Sequence, residues 1–226
     1  MTDLISDFSQ AREDILHRIA KAAKAAGRSP VDVALVAVAK RQPEEKIDAA
    51  LAAGQRVFGE NRVQEAEARW ADRRARFPDL ELRMIGPLQS NKAADAVALF
   101  DVIETLDRDS LAKALKAAID KAGTATRLYV QVNTGEEAQK SGVTPAETQA
   151  FVEKMRADYG FEIEGLMCIP PLEEEPALHF ALLAELARDC GVSKLSMGMS
   201  GDFETAVRHG ATSVRVGTAL FGARTS

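Results

Sequence analysis

The sequence predicts an α/β protein that folds as a (β/α)8 TIM barrel, a single domain with an extra N-terminal helix. Strand-sized apolar runs alternate with helix-sized amphipathic runs, and eight such strands occur within the 226 residues. No linker rich in glycine, serine or proline divides the chain, so we assign residues 1–226 to one domain. An open doubly wound sheet has the same alternation but typically fewer strands, and the strand count therefore favours the barrel.

The predicted elements begin with a helix over residues 4–26, which ends at Gly27. The predicted strands cover residues 33–38, 56–58, 82–85, 102–104, 127–132, 164–167, 194–196 and 213–216. The helices between them cover residues 44–53, 62–76, 91–99, 110–122, 145–159, 176–190 and 202–209. Residues typical of helix starts are Pro43, Asp109 and Thr144, and the glycines expected to end helices are Gly54, Gly123, Gly191 and Gly210.

Composition and charge argue against several classes of protein. The chain is 46% hydrophobic and 28% charged, and it has neither an apolar run near membrane-spanning length nor a secretory signal pattern. Its formal net charge of −5 gives no support to nucleic-acid binding. Cys168 and Cys190 lack the spacing of a disulfide framework or a metal site. We therefore expect a cytoplasmic protein that binds neither nucleic acid nor a membrane.

Lys40 stands at the end of the first predicted strand, directly after the apolar run of residues 33–39. In (β/α) barrels the carboxyl ends of the strands are where functional groups collect. A lysine that leaves a buried strand loses part of its hydration, and its neutral amine is a nucleophile that can form a Schiff base with an aldehyde. The alternative is a lysine whose flexible stem simply carries its charge into water.

The loops after the seventh and eighth strands combine glycines with hydroxyl side chains. Ser200 and Gly201 follow the seventh strand, and Gly217 and Thr218 follow the eighth. These two loops often hold a phosphate group in TIM barrels, because glycine lets the backbone come close and amide N–H groups point towards the anion. The loops therefore predict a phosphate site, although the glycines after the eighth strand could instead form only a tight turn that closes the barrel.

Arg215 lies within the eighth strand and faces away from Val214 and Val216 because side chains alternate along a strand. A guanidinium inside a barrel needs a partner, since an unpaired buried charge is costly. It could form a structural ion pair with an interior carboxylate. It could also face the mouth and donate to an acceptor atom of a ligand, such as a pyridine nitrogen. Such a contact would keep that nitrogen unprotonated and weaken the ring as an electron sink.

Six segments, taken together and in order, resemble the pyridoxal phosphate homeostasis protein family (YggS/PROSC type). The segments are residues 35–40, 58–65, 85–92, 165–170, 195–200 and 214–224. The resemblance implies one barrel similar to the N-terminal domain of alanine racemase. It also implies that Lys40 forms a Schiff base with pyridoxal 5′-phosphate (PLP), that Arg215 contacts the pyridine nitrogen and that Asn61 lies near the cofactor. The positions that match the family's phosphate contacts are Ser200, Gly217 and Thr218.

The resemblance implies a carrier more strongly than an enzyme. Such a protein holds PLP, buffers its free level and releases it to apo-enzymes, without substrate turnover and as a monomer. The alternative is a weak amino-acid racemase with Lys40 as one acid/base. A two-base racemase needs a proton donor on the opposite face of the ring, and the two tyrosines, Tyr129 in a strand and Tyr159 at a helix end, offer none.

The chain departs from the pattern of the family in two places. Arg41 and Gln42 replace the more usual Thr-Lys after the Schiff-base lysine, which removes a second amine from the site. Gly201 stands where an aspartate is common, and we expect it to loosen the turn beside the phosphate. None of these three residues is expected to contact the cofactor directly.

Overall fold

The protein folds into one closed parallel barrel, as a computed structural model that describes residues 2–222 shows. Each strand pairs with the next along the chain, and the eighth pairs with the first to close the barrel. The strands are β1 Ala34–Val38, β2 Val57–Glu60, β3 Glu81–Met84, β4 Val102–Leu106, β5 Arg127–Val132, β6 Ile163–Cys168, β7 Lys194–Ser196 and β8 Ser213–Val216. The predicted TIM barrel is confirmed. The extent of the domain over residues 1–226 stays a prediction, and the end of the last matching segment, residues 223–224, lies outside the described residues.

Helices cover the outside of the barrel in the predicted alternation. They are α1 Thr2–Ala25, α2 Glu44–Ala52, α3 Val63–Arg76, α4 Ala93–Leu99, α5 Asp109–Ala122, α6 Thr148–Tyr159, α7 Pro176–Asp189, α8 Phe203–Arg208 and α9 Thr218–Phe221. The short helix α9 was not predicted, because it follows β8 within two residues. Short 3₁₀ turns at Ser90–Lys92 and Pro145–Glu147 take up the first residues of two predicted helices.

The extra N-terminal helix α1 packs against α2, α8 and α9. Its apolar side chains Phe8, Ile15 and Ile19 are buried there. The phenyl rings of Phe8 and Phe221 lie 5.2 Å apart, so α1 also holds the segment after β8 against the barrel. The main apolar core fills the space between the strands and the helices, where Phe58 and Trp70 join β2 to α3 at a ring distance of 4.7 Å.

Inside the barrel, a chain of hydrogen-bonded polar side chains replaces much of the usual apolar filling. Arg215 Nη1 donates to Ser196 Oγ at 2.6 Å, and Ser196 Oγ donates to Glu104 Oε2 at 2.5 Å. Arg83 Nη1 donates to Glu104 Oε1 at 3.1 Å, and Arg83 Nε donates to Glu81 Oε1 at 2.6 Å. Burial disfavours the charged form of Arg83, but Glu104 and Glu81 outweigh it and raise the pKa of Arg83. The interior therefore links the mouth of the barrel to its amino-terminal end.

Candidate functional site

Lys40 lies at the carboxyl end of β1, where the chain leaves the barrel in a tight turn. Ala39 N donates to Gly59 O and Gln42 N donates to Ala39 O, both at 3.0 Å. Arg41 has a φ of 57°, in the left-handed region that residues other than glycine rarely adopt. Lys40 is half-buried, and within residues 2–222 no hydrogen bond or ion pair occupies its Nζ. The amine therefore reaches the mouth of the barrel with no internal partner.

A cavity of about 560 Å³ opens beside Lys40 over the ends of β1 to β4. Asn61, the residue after β2, lines the same cavity, because Gly59 of β2 pairs with Val38 of β1. The lining also includes three cations, Arg62, Lys92 and Arg108, each of which is paired with a neighbouring carboxylate. Of the residues predicted from sequence, the structure thus brings Lys40 and Asn61 together in one cavity. Four others, Ser200, Arg215, Gly217 and Thr218, are not among its lining residues.

Those four residues lie on the neighbouring side of the mouth, around β7 and β8. Val216 pairs with Ala37 of β1, and a Cβ at Gly217 would lie 3.4 Å from Val38 Cβ. Gly217 therefore runs directly beside the segment that ends in Lys40. Thr218 begins α9 and is exposed, whereas Ser200 is half-buried in the turn before α8.

The turn that carries Ser200 presents unused hydrogen-bond donors. Asp202 N donates to Met199 O at 3.1 Å, and Met199 N donates to Asp202 Oδ1 at 2.5 Å, which fixes the turn. In the described part of the chain, the amides of Ser200, Gly201 and Gly217 have no backbone acceptor. These amides and the hydroxyls of Ser200 and Thr218 form a donor set suited to a phosphate group, so the residues present fit the expected cofactor.

Arg215 is held rigidly at the mouth. Arg215 is 4% exposed, and besides the bond to Ser196 its Nη2 donates to Cys168 O at 2.7 Å. Cys168 ends β6, so the guanidinium lies at the level where the strands finish. The ion pair with an interior carboxylate, which the sequence left open as an alternative, is present only indirectly. Ser196 connects Arg215 to the carboxylate of Glu104. Within residues 2–222, two of the five N–H groups of Arg215 have acceptors and Nε has none, so donors remain for a ligand.

The two departures from the family pattern differ in their surroundings. Gln42 is buried at 4% exposure, while Arg41 before it is exposed on the left-handed turn. A Cβ added at Gly201 would meet no atom within 4 Å, and its φ lies outside the left-handed region. Neither space nor backbone conformation therefore requires glycine at position 201, and the expected loosening of this turn stays a prediction.

Reasoning from the sequence missed the network that holds the Lys40 turn. Glu60, at the end of β2, is fully buried, and its Oε1 accepts from Arg69 Nη1 at 2.8 Å and Trp70 Nε1 at 2.9 Å. Burial raises the pKa of Glu60, against the opposing influence of Arg69 and Trp70. Arg69 carried no sequence signal, because an arginine on a helix is ordinarily a solvated residue.

Metal clusters, membrane-spanning helices and reactive thiols are absent from the described part of the chain. Among residues 2–222, no three histidine, cysteine, aspartate or glutamate side chains come together in a way that could hold a metal ion. None of the helices within those residues is long and apolar enough to cross a membrane. Burial raises the pKa of Cys168 to about 12, so its thiol at the end of β6 is not a reactive group.

Comparison with known proteins first defines the class of the barrel. Residues 11–225 match the family described as alanine racemase, N-terminal domain. The solved alanine racemase of Bartonella henselae superposes with a TM-score of 0.71 at 15% identity, over 97% of this chain and 59% of the racemase chain. The protein is therefore a barrel of the alanine racemase N-terminal class, and the likeness to the racemase concerns the fold.

Closer relatives place the chain within that class. A pyridoxal phosphate homeostasis protein of Pseudomonas aeruginosa is 43% identical over 227 residues, which cover 97% of each chain. PipY of Synechococcus elongatus, solved with PLP bound, is 40% identical with a TM-score of 0.76, over 90% of this chain and 100% of PipY. The chain belongs to the pyridoxal phosphate homeostasis protein family, and the resemblance seen in the sequence is confirmed.

Proposed function

We propose that this protein binds PLP through a Schiff base between the aldehyde and Lys40 Nζ, and that it carries or buffers the cofactor. The observation that carries this proposal is the half-buried Lys40 amine, which has no partner within residues 2–222 and lies on a cavity at the barrel mouth. The names of its relatives and the PLP in the PipY structure support the same function.

Each of the remaining site residues has a distinct role in this proposal. When bound, PLP supplies an aldehyde for the lysine and an aromatic ring that can accept electrons. The amides and hydroxyls around β7 and β8 hold the phosphate group, and Asn61 lines the cavity beside the ring. Arg215 donates to the pyridine nitrogen and, being cationic, keeps a proton off that atom. The proposed phosphate contacts are Ser200, Gly217 and Thr218.

Substrate turnover is not part of the proposed function. Tyr129 is 3% exposed inside the barrel, and burial raises its pKa, so it is no proton donor to the mouth. Tyr159 ends α6 on the outside and donates to Asp109 Oδ1 at 3.0 Å. Weak amino-acid racemisation is the competing function, and sustained racemisation of an enantiopure amino acid by the PLP-loaded protein would favour it over the carrier.

The setting of the carrier is also proposed. We infer a cytoplasmic monomer that gives up PLP to apo-enzymes, since a closed barrel leaves no strand edge that needs a partner chain.

Removing the Lys40 amine tests the proposed function. Lys92 is the matched control, because it lines the same cavity but its Nζ is paired with Asp95 at 3.1 Å. We expect Lys40→Ala to lose the yellow absorbance that develops when wild-type protein is mixed with PLP, and Lys92→Ala to keep it. Equal colour in the Lys40→Ala variant would contradict the proposal.

A further inference from the structure

Arg69 reaches from the second turn of α3 to the turn that carries Lys40. Its side chain is 10% exposed. Nη1 donates to Ala39 O at 2.9 Å and Nη2 donates to Gln42 O at 3.0 Å. These two carbonyls flank Lys40 and Arg41, so one planar guanidinium is hydrogen-bonded to the turn on both sides.

The same guanidinium is fixed by two carboxylates. Nη1 also donates to Glu60 Oε1 at 2.8 Å, and Nε donates to Glu44 Oε1 at 3.0 Å. Glu60 is the last residue of β2 and directly precedes Asn61. Trp70 Nε1 donates to the same Glu60 oxygen at 2.9 Å. Arg69 therefore connects the ends of β1 and β2, the two strands that deliver Lys40 and Asn61 to the cavity.

The turn needs such a restraint because of its backbone conformation. Arg41 has a φ of 57°, and a residue with a Cβ is disfavoured there relative to glycine. The turn has one short-range backbone bond of its own, from Gln42 N to Ala39 O at 3.0 Å. Without the two bonds from Arg69, the chain at Arg41 can relax to a common conformation, which would redirect the side chain of Lys40.

We propose that Arg69 is a positioning residue that holds the Lys40 turn so that Nζ faces the cavity. This inference rests on the proposed function, in which Lys40 forms the Schiff base. Arg69 acts through the backbone at Ala39 and Gln42 and does not touch the cofactor. Loss of its bonds to these two carbonyls slows the reaction of Lys40 with PLP and weakens the resulting complex.

A structural role for Arg69 in stabilising α3 is separable from positioning because the chain offers a matched control. Arg73 lies one turn further along α3 and is 12% exposed. It pairs with the same Glu44, through Nη1 at 2.7 Å, and with Asp48, through Nε at 2.8 Å. Arg73 makes no contact with residues 39–42 among the described hydrogen bonds. Arg73→Met therefore removes two ion pairs to exposed carboxylates without releasing the turn, and it leaves the buried pair between Arg69 and Glu60 intact.

The experiment compares Arg69→Met, Arg69→Lys and Arg73→Met with the wild type. We measure the rate at which absorbance develops on mixing with PLP and, in cofactor-free protein, the hydrogen exchange of the Gln42 amide, which donates to Ala39 O. Arg69→Met loses the two charge-assisted bonds to the carbonyls of Ala39 and Gln42. The variant should therefore react with PLP at least about tenfold more slowly, and its Gln42 amide should exchange about tenfold faster. Arg69→Lys should recover part of both, since an ammonium can reach one carbonyl. Arg73→Met should stay within about twofold of the wild type in both.

The possible results distinguish failure of the positioning role of Arg69 from failure of the proposed function. Equal reaction and exchange rates in Arg69→Met and Arg73→Met would overturn the positioning role while leaving the proposed function intact. If Arg69→Met does not fold, Arg69→Lys with wild-type rates overturns it. If wild-type protein forms no Schiff base at Lys40, the proposed function fails, and the exchange of the Gln42 amide in cofactor-free protein still reports whether Arg69 holds the turn.

Discussion

Lys40 and Arg215 lie on adjacent strands at the barrel mouth, yet their side chains are held very differently. Arg215 donates to Ser196 Oγ and Cys168 O, whereas Lys40 Nζ has no partner within residues 2–222. A group that must form and break a covalent bond gains from being unpaired. A group that must present a fixed cation to a ring nitrogen gains from rigid bonding.

The hydroxyl of Ser196 joins Arg215 to the buried carboxylate of Glu104. The hydroxyl of Ser213 makes no such bridge, so its removal is the control for removal of the Ser196 hydroxyl. The two serines are paired in register on β7 and β8, and Ser213 is 1% exposed with no partner for its Oγ within residues 2–222. Ser196→Ala should lower the free energy of unfolding by about 2 kcal/mol, because two charged groups each lose a bond. Ser213→Ala should change it by less than about 0.5 kcal/mol. Urea unfolding of both variants checks this, and similar losses would show that the Ser196 bridge contributes nothing specific.

At the scale of elements, Glu81 of β3 reaches across β4 to β5. Its carboxylate accepts from Arg83 Nε and from Arg127 Nη2, both at 2.6 Å. Burial alone would raise the pKa of Glu81, but Arg83 and Arg127 outweigh it and hold the pKa below its ordinary value. Because the folded pKa is depressed, the stability from Glu81 is present above the unfolded pKa and is lost as the pH falls through the folded one.

This linkage makes the stability of a Glu81→Gln variant depend on pH in a defined direction. At pH 7 the free energy of unfolding of the variant should be about 1–2 kcal/mol lower than that of the wild type. The difference should shrink as the pH falls below the ordinary glutamate pKa of 4.5, where the wild-type carboxylate also gains a proton. Denaturant titrations across that range measure it, with Glu162→Gln as a control on an exposed glutamate. A difference that grows towards low pH would refute the assignment.

The elements themselves were largely predictable from sequence. Apolar runs and helix-ending residues gave all eight strands in the described chain, and Gly123 ends α5 in the left-handed conformation as expected. The second strand runs over Val57–Glu60 rather than residues 56–58. Glu60 lies beyond the predicted end of this strand, yet it is the last residue of β2. Its burial depends on Arg69 and Trp70, which lie nine and ten residues later on α3, and periodicity cannot reveal such a pairing.

For the molecule as a whole, alternation of strands and helices was enough to predict a barrel and to place candidate residues at one rim. Lys40 and Asn61 share a cavity as expected, because adjacent strands must end side by side. The polar interior was not predictable. Arg83, Glu104 and Ser196 come from three strands, and only closure of the barrel brings them together. Sequence patterns along one strand show which residues face inward but not which of them meet.

The proposed function requires that Lys40 is the residue that bonds to PLP. Borohydride reduction of the protein with PLP, followed by peptide mapping, identifies that residue, because reduction makes the Schiff base permanent. We predict a single pyridoxyl adduct on Lys40 in the peptide that follows β1. An adduct on Lys92, on Lys140 or on any other lysine, or no adduct at all, would contradict the claim.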